Sequence, residues 1–139
     1  MPDPRLILYH KQPISARTRF LQLPDHTVCA FAALPATTTL AERTSDQSNL
    51  ISHPAFLLRA AENRLALPQD SLEAEPGYRC LLHSPEGIIE VFLARFTAID
   101  PPCTAAETIG GTFIDLTQAR GLPRVELELL RLAYERILG

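Results

Sequence analysis

The chain is poor in the residues that mark several protein classes. Its 139 residues include no tryptophan, one methionine, three cysteines and a single lysine. An odd number of widely spaced cysteines does not form the disulfide framework of a small secreted protein. The first apolar run, at 6–9, is too short for a secretory leader. We therefore expect reduced thiols and a cytoplasmic location.

The composition also lacks a strong excess of one charge and any long hydrophobic run. The net charge is -3 and no basic run is present, so the chain offers no general attraction for phosphate backbones. Hydrophobic residues make up 46% and charged residues 21%, as in globular proteins. We expect one domain spanning 1–139, with no nucleic acid or membrane partner.

A β-hairpin at 78–97 is the clearest local pattern. Two runs of apolar residues flank Pro85, Glu86 and Gly87. Proline favours the first corner of a type I turn, and glycine readily adopts the left-handed conformation that closes a three-residue loop. The pattern predicts two antiparallel strands and therefore a sheet-building domain.

The first half of the chain predicts further strands. Residues 6–10 have strand character, and 19–23 with 27–33 predict a second hairpin around a Pro-Asp turn. The composition then becomes polar over 35–49, which predicts a mobile connection within the domain, with room for one short helix. So long a loop in a compact domain indicates either a functional flap or an error in this assignment of elements.

The second half adds two helices. One is predicted from Pro54 to about Leu67, and the other begins at Pro123, because proline suits the first turn of a helix. A short strand is expected at 112–116. The element order predicts an α+β fold, with a mainly antiparallel sheet on which the mid-chain and C-terminal helices pack.

Two elements carry more apolar surface than a small domain usually buries. The second hairpin strand, 88–96, is apolar on both faces. The C-terminal helix has only a narrow polar arc, formed by Glu128, Arg131 and Glu135. Either helices of the same chain cover both faces of the sheet, or a second subunit covers one. We expect a homodimer.

Cys103, His83 and Glu126 are the candidate catalytic residues. Cys103 follows two prolines in a predicted loop, and a histidine close to such a thiol would favour its reactive thiolate form. Glu126 lies near the start of the C-terminal helix, where a carboxylate either acts as a base or caps free backbone amides. No local motif joins these residues, and capping is the simpler role for Glu126.

Arg79 and Arg95 are the candidate ligand-binding residues. Each interrupts an apolar strand of the hairpin, and pairing Ser84 with Ile88 places both arginines on one face. Two guanidinium groups on one face would hold a carboxylate ligand. The alternative is that both lie at the surface in water or paired with glutamates.

No metal or cofactor site is predicted. Cys80 and His83 have the ligand chemistry of zinc, but residues three apart on a regular strand point to opposite faces. Gly110 and Gly111 lack the strand-to-helix spacing of a nucleotide-binding loop, so a tight turn is their simpler role.

Two functions are consistent with these patterns. The first is a non-catalytic cytoplasmic binding or accessory protein, a homodimer that presents a surface to a small molecule or a protein. The second is a small enzyme acting on an anionic small molecule at a pocket beside the polar connection. Its reactive group would be a histidine, Cys103 or Glu126, and Arg79 or Arg95 would hold the anion. The lack of a catalytic motif favours the first function.

Overall fold

The computed structural model describes residues 4–15, 17–30, 34–35, 37–44 and 54–138. These residues form six strands, three α-helices and one 3₁₀ turn. In chain order the elements are β1 (Arg5–Lys11), β2 (Thr18–Gln22), β3 (Thr39–Thr44), α1 (Pro54–Arg64), β4 (Leu72–Ser84), β5 (Gly87–Phe96), α2 (Cys103–Thr108), β6 (Thr112–Ile114), the 3₁₀ turn (Leu116–Ala119) and α3 (Arg124–Leu138).

The strands form one sheet in the order β3-β4-β5-β1-β2-β6. The pair β1–β5 is parallel, with Arg5 opposite Val91, and the other four pairs are antiparallel. The predicted α+β class with a mainly antiparallel sheet, a mid-chain helix and a C-terminal helix is therefore confirmed.

The predicted hairpin is confirmed and is longer than expected. Ser84 pairs with Gly87, which leaves a two-residue loop instead of the predicted three. The Ser84 hydroxyl donates to the Gly87 carbonyl at 2.7 Å and accepts from the Glu86 N–H at 3.2 Å. Gly87 has a φ of 123°. This conformation is one that glycine adopts with little strain.

Helices of the same chain cover both faces of the sheet. On one face, Ile7, Val91 and Leu93 pack with a row of buried residues from α3. On the other face, residues of β1 and β5 pack with buried residues of α1 and α2: Leu6, Leu8, Phe92, Ala94, Leu58, Ala61, Leu65 and Ala106. This two-sided cover explains why β5 is apolar on both faces, without a second subunit.

The predicted second hairpin is wrong. β2 pairs with β1 on one side and β6 on the other, so it has no free edge for residues 27–30. The Leu23 N–H donates to the Thr27 carbonyl at 2.8 Å to close a turn. The chain then leaves β2, and Ala30 forms an isolated bridge to Leu6. The remaining residues of the predicted strand, 31–33, lie outside the described residues.

The polar segment 35–49 is not only a connection. Thr39–Thr44 forms the edge strand β3, which pairs antiparallel with β4. Threonine favours extended structure, and an edge strand tolerates a polar sequence because only one of its sides must pair. Residues 45–49 lie outside the described residues, as do Ser52 and His53 at the predicted start of α1.

The two predicted helices are confirmed near their expected starts. α1 begins at Pro54, and α3 begins directly after Pro123, whose carbonyl accepts the Leu127 N–H at 3.1 Å. The wide apolar arc of α3 is buried at Leu129, Leu130, Leu132 and Ala133, whereas Leu138 remains 58% exposed. The arc therefore packs largely on the sheet.

We expect Gly111→Ala to destabilise the protein. A methyl group at Gly111 would lie 2.9 Å from the backbone oxygen of Gln22 in the neighbouring strand, so the backbone would have to shift. Overpacking of this kind costs about 1–3 kcal/mol. The control is Gly121→Ala, because nothing lies within 4 Å of that position. Urea unfolding of both variants measures the difference, and equal stabilities would contradict the packing of β6 against β2.

Candidate functional site

Arg79 is held in a buried ion pair. Its Nη2 and Nε each lie 2.8 Å from Oε2 of Glu90, and both residues are nearly inaccessible to solvent. A buried guanidinium left without its carboxylate would cost several kcal/mol. Arg79 therefore has a structural role, and its guanidinium is engaged by Glu90 instead of being available to an anionic ligand.

The expectation that Arg79 and Arg95 share a face is wrong. Ser84 pairs with Gly87 and Arg79 with Phe92, one residue away from the predicted register. A shift of one residue exchanges the two faces of a strand. Arg79 consequently lies on the α1 side, while Arg95 lies on the α3 side and pairs with Glu73 at 3.0 Å.

Cys103 and His83 do not meet. Cys103 is exposed as predicted, but it is the first residue of α2 and not part of a loop. α2 packs beside β6, whereas His83 lies on β4, four strands away across the sheet. At about 4.8 Å between neighbouring strands, β4 and the strand beside α2 are roughly 19 Å apart across the sheet. A thiol–imidazole pair between these two residues is therefore excluded.

Cys80 and Cys29 are core residues. Both are fully buried, and Cys80 faces the α3 side while His83 is exposed on the opposite side of β4. Burial raises the pKa of the Cys29 thiol, and the nearby carboxylate of Glu126 raises it further. A neutral buried thiol is a poor nucleophile. Within the described chain, no group of three or more His, Cys, Asp and Glu residues is placed to hold a metal ion.

Glu126 joins α3 to the segment that follows β2. Its carboxylate is 2% exposed and accepts the Val28 N–H at 2.8 Å. It also accepts a hydrogen bond from the Thr27 side chain. The carboxylate caps backbone of a different segment, not the first turn of its own helix. Burial raises the pKa of Glu126, and the hydrogen bonds from Val28 and Thr27 only partly oppose this effect.

Glu126 predicts a specific dependence of stability on pH. Because its folded pKa is raised, the folded protein binds this proton more tightly than the unfolded chain does. The contribution of Glu126 to stability is therefore full below the ordinary pKa of 4.5 and is lost as the pH rises through the raised pKa. E126Q keeps an acceptor for Val28 but does not titrate, so it should gain stability relative to wild type over this window.

Urea unfolding at several pH values tests this prediction. The control is E128Q, because Glu128 lies on the same helix and is more exposed, in a side-chain pair with Arg124. We expect the E128Q difference from wild type to change much less with pH. A constant difference between E126Q and wild type would contradict the effect of burial on Glu126.

A polar pocket lies elsewhere, at the end of β1. It has a volume of about 150 Å³ and is lined by His10, Gln12, Ser15, Arg17 and Arg19. Four of these side chains carry nitrogen donors and the fifth carries a hydroxyl. The lining that the structure describes includes no carboxylate, so the pocket is suited to a negatively charged or hydrogen-bond-accepting group.

Strand pairing creates this pocket. His10 lies directly opposite Arg19 in the β1–β2 pair, and the Gln12 N–H donates to the Arg17 carbonyl at 2.8 Å. Directly paired residues of an antiparallel ladder share a face. The two strands therefore bring an imidazole and a guanidinium side by side and close the turn around them.

His10 is tied to the segment that follows β5. Its Nε2 lies 3.0 Å from the carbonyl oxygen of Ala98 and 3.1 Å from that of Ile99. Carbonyl oxygens only accept, so Nε2 carries a hydrogen and donates. Two acceptors on one nitrogen hold the ring firmly. β1 and β5 are parallel, so their carboxyl ends meet at this edge of the sheet.

The two arginines of the pocket differ in their partners. Arg17 lies 3.8 Å from a carboxylate oxygen of Asp115, and both side chains are substantially exposed. Within the part of the chain that the structure describes, Arg19 has no carboxylate partner. Arg19 thus contributes a half-buried positive charge to the pocket, and none of the described carboxylates forms an ion pair with it.

The sequence contained a partial signal for the pocket. His10 and Gln12 alternate along one strand, and Arg17 and Arg19 along the next, so each pair shares a face. Polar residues at these positions depart from the apolar pattern around them. The pairing of β1 with β2 was the missing information, since residues 19–23 were predicted to pair with the following segment.

Comparison with protein-family models and with curated proteins finds no match to this chain. None of the helices in the described ranges has both the length and the apolar character needed to span a membrane.

Proposed function

We propose that the protein binds a small oxyanion in the pocket formed by His10, Gln12, Ser15, Arg17 and Arg19. One observation carries this proposal: among the described residues, Arg19 lacks a carboxylate partner and the pocket lining contains no carboxylate. Phosphoryl, sulfuryl and carboxylate groups all match such a lining, because a guanidinium donates two parallel hydrogen bonds to paired oxygens.

The role is binding and not catalysis. General acid–base chemistry uses a titratable group beside the reacting atoms, and covalent catalysis uses an activated nucleophile. Among the lining residues, the His10 Nε2 is already engaged by two carbonyls, and no base is paired with the Ser15 hydroxyl; the backbone N–H of Arg17 lies 3.3 Å from it. The pocket therefore holds an anion without an evident reactive pair.

Fewer observations support the alternative enzyme, which would combine a histidine, Cys103 or Glu126 with Arg79 or Arg95. Cys103 and His83 lie on distant strands or helices, and Arg79 is paired inside the sheet. Glu126 lies on the α3 side, where it holds backbone. The observations thus support the binding function more strongly than this enzyme.

Removal of the Arg19 charge should weaken anion binding. Hydrogen bonds to charged groups contribute about 1.5–3 kcal/mol. We therefore expect R19Q to bind inorganic phosphate about tenfold more weakly than wild type or worse, as measured by isothermal titration calorimetry at low ionic strength.

R131Q is the matched control, because it removes the same charge from an exposed position on α3 that faces away from the pocket. Its phosphate affinity should equal that of wild type. If R19Q and wild type bind phosphate equally, or if wild type binds no oxyanion, the proposed site is wrong.

A homodimer and a cytoplasmic location are also proposed. The three free thiols support a reducing compartment. Cover of β5 within the chain removes one reason for a dimer, whereas Leu138, exposed at the end of α3, is one apolar side chain that a second copy would cover. Native mass spectrometry at micromolar concentration should show a dimer that L138S weakens, whereas a wild-type monomer would contradict the dimer.

A further inference from the structure

The pocket is smaller than most ligands. Its volume of about 150 Å³ is below the roughly 300–1,000 Å³ of sites that enclose a whole small molecule. A single phosphoryl or carboxylate group fits inside, and the rest of a larger ligand would have to lie outside the pocket. The surface next to the lining residues therefore determines which ligand bodies bind.

Two exposed isoleucines belong to the segments that form this surface. Ile14 lies in the turn between Gln12 and Ser15 and is 93% exposed. Ile99 is 71% exposed, and its carbonyl oxygen holds the ring of His10. Both are among the most exposed large apolar side chains of the described residues.

Both isoleucines have a polar neighbour in the sequence. Ser15 follows Ile14 and Asp100 follows Ile99, so a polar side chain would also be compatible with either exposed position. An apolar side chain that is almost fully in water gains nothing from folding. Its free energy gain comes only from a partner that covers it.

Resting on the proposed function, we propose that the ligand is an oxyanion attached to an apolar body. The anionic group lies among His10, Arg17 and Arg19, and the apolar body lies on Ile14 and Ile99. Phosphate or carboxylate esters of polar alcohols would leave both isoleucines in water. The site would therefore favour an alkyl or aryl phosphate or carboxylate over a sugar phosphate.

Three phosphates separate the contribution of the pocket from the contribution of the two isoleucines. Inorganic phosphate probes the pocket alone, glycerol phosphate adds a polar body, and hexyl phosphate adds an apolar one. Each methylene removed from water contributes about 0.8 kcal/mol, so partial cover of the chain should make hexyl phosphate bind about tenfold more tightly than glycerol phosphate. Calorimetric titrations give the three affinities.

I14S and I99S are the test variants. Both side chains are exposed, so the variants should fold, which circular dichroism and thermal unfolding verify. Each should reduce the advantage of hexyl phosphate over glycerol phosphate severalfold and leave the affinity for inorganic phosphate unchanged. I88S is the control, because Ile88 is also exposed but lies at the turn of the β4–β5 hairpin.

The outcomes distinguish this inference from the function on which it rests. If inorganic phosphate binds in an Arg19-dependent manner and hexyl phosphate binds no more tightly than glycerol phosphate, the apolar body is wrong and the oxyanion site stands. The same conclusion follows if neither I14S nor I99S changes the ratio. If wild type binds none of the three phosphates, both proposals fail together.

Discussion

Parallel pairing between β1 and β5 joins the two halves of the sheet. β3 and β4 lie beyond β5, and β2 and β6 lie beyond β1. Residues 5–10 of β1 are buried. Water cannot reach their backbone N–H and C=O groups, so these groups need the hydrogen bonds that the neighbouring strands supply. The helices on both faces pack across this seam, and the pocket lies at its carboxyl end because His10 reaches the carbonyls that follow β5.

Buried carboxylates stabilise the fold at three separate places in the chain. Glu90 holds Arg79, Glu126 accepts the Val28 N–H, and Glu62 accepts the Leu72 N–H at 2.9 Å. Each of these three acidic residues is buried. A buried charge without such partners is expensive, so the partners explain why these residues are tolerated in the core. The three carboxylates therefore have structural roles.

Local patterns in the sequence predicted most of the elements of the fold. The turn at Pro85 and Gly87 and the helix starts at Pro54 and Pro123 depend on neighbouring residues, and all were predictable. The pocket was not, because His10 and Ile99 are separated by 89 positions and meet only through the β1–β5 pair. The error for Arg79 had a different cause: a difference of one residue in hairpin register moved it to the other face.

The order in which the chain is synthesised gives the β1–β5 pair a further consequence. Arg5 leaves the ribosome long before its partner Val91, which lies far along the sequence from it. The β4–β5 hairpin is local and forms quickly, whereas closure of so long a loop is slow. The apolar residues of β1 therefore stay unpaired in the nascent chain until the β4–β5 hairpin has been synthesised. During this interval the N-terminal strand is the segment most in need of protection from aggregation.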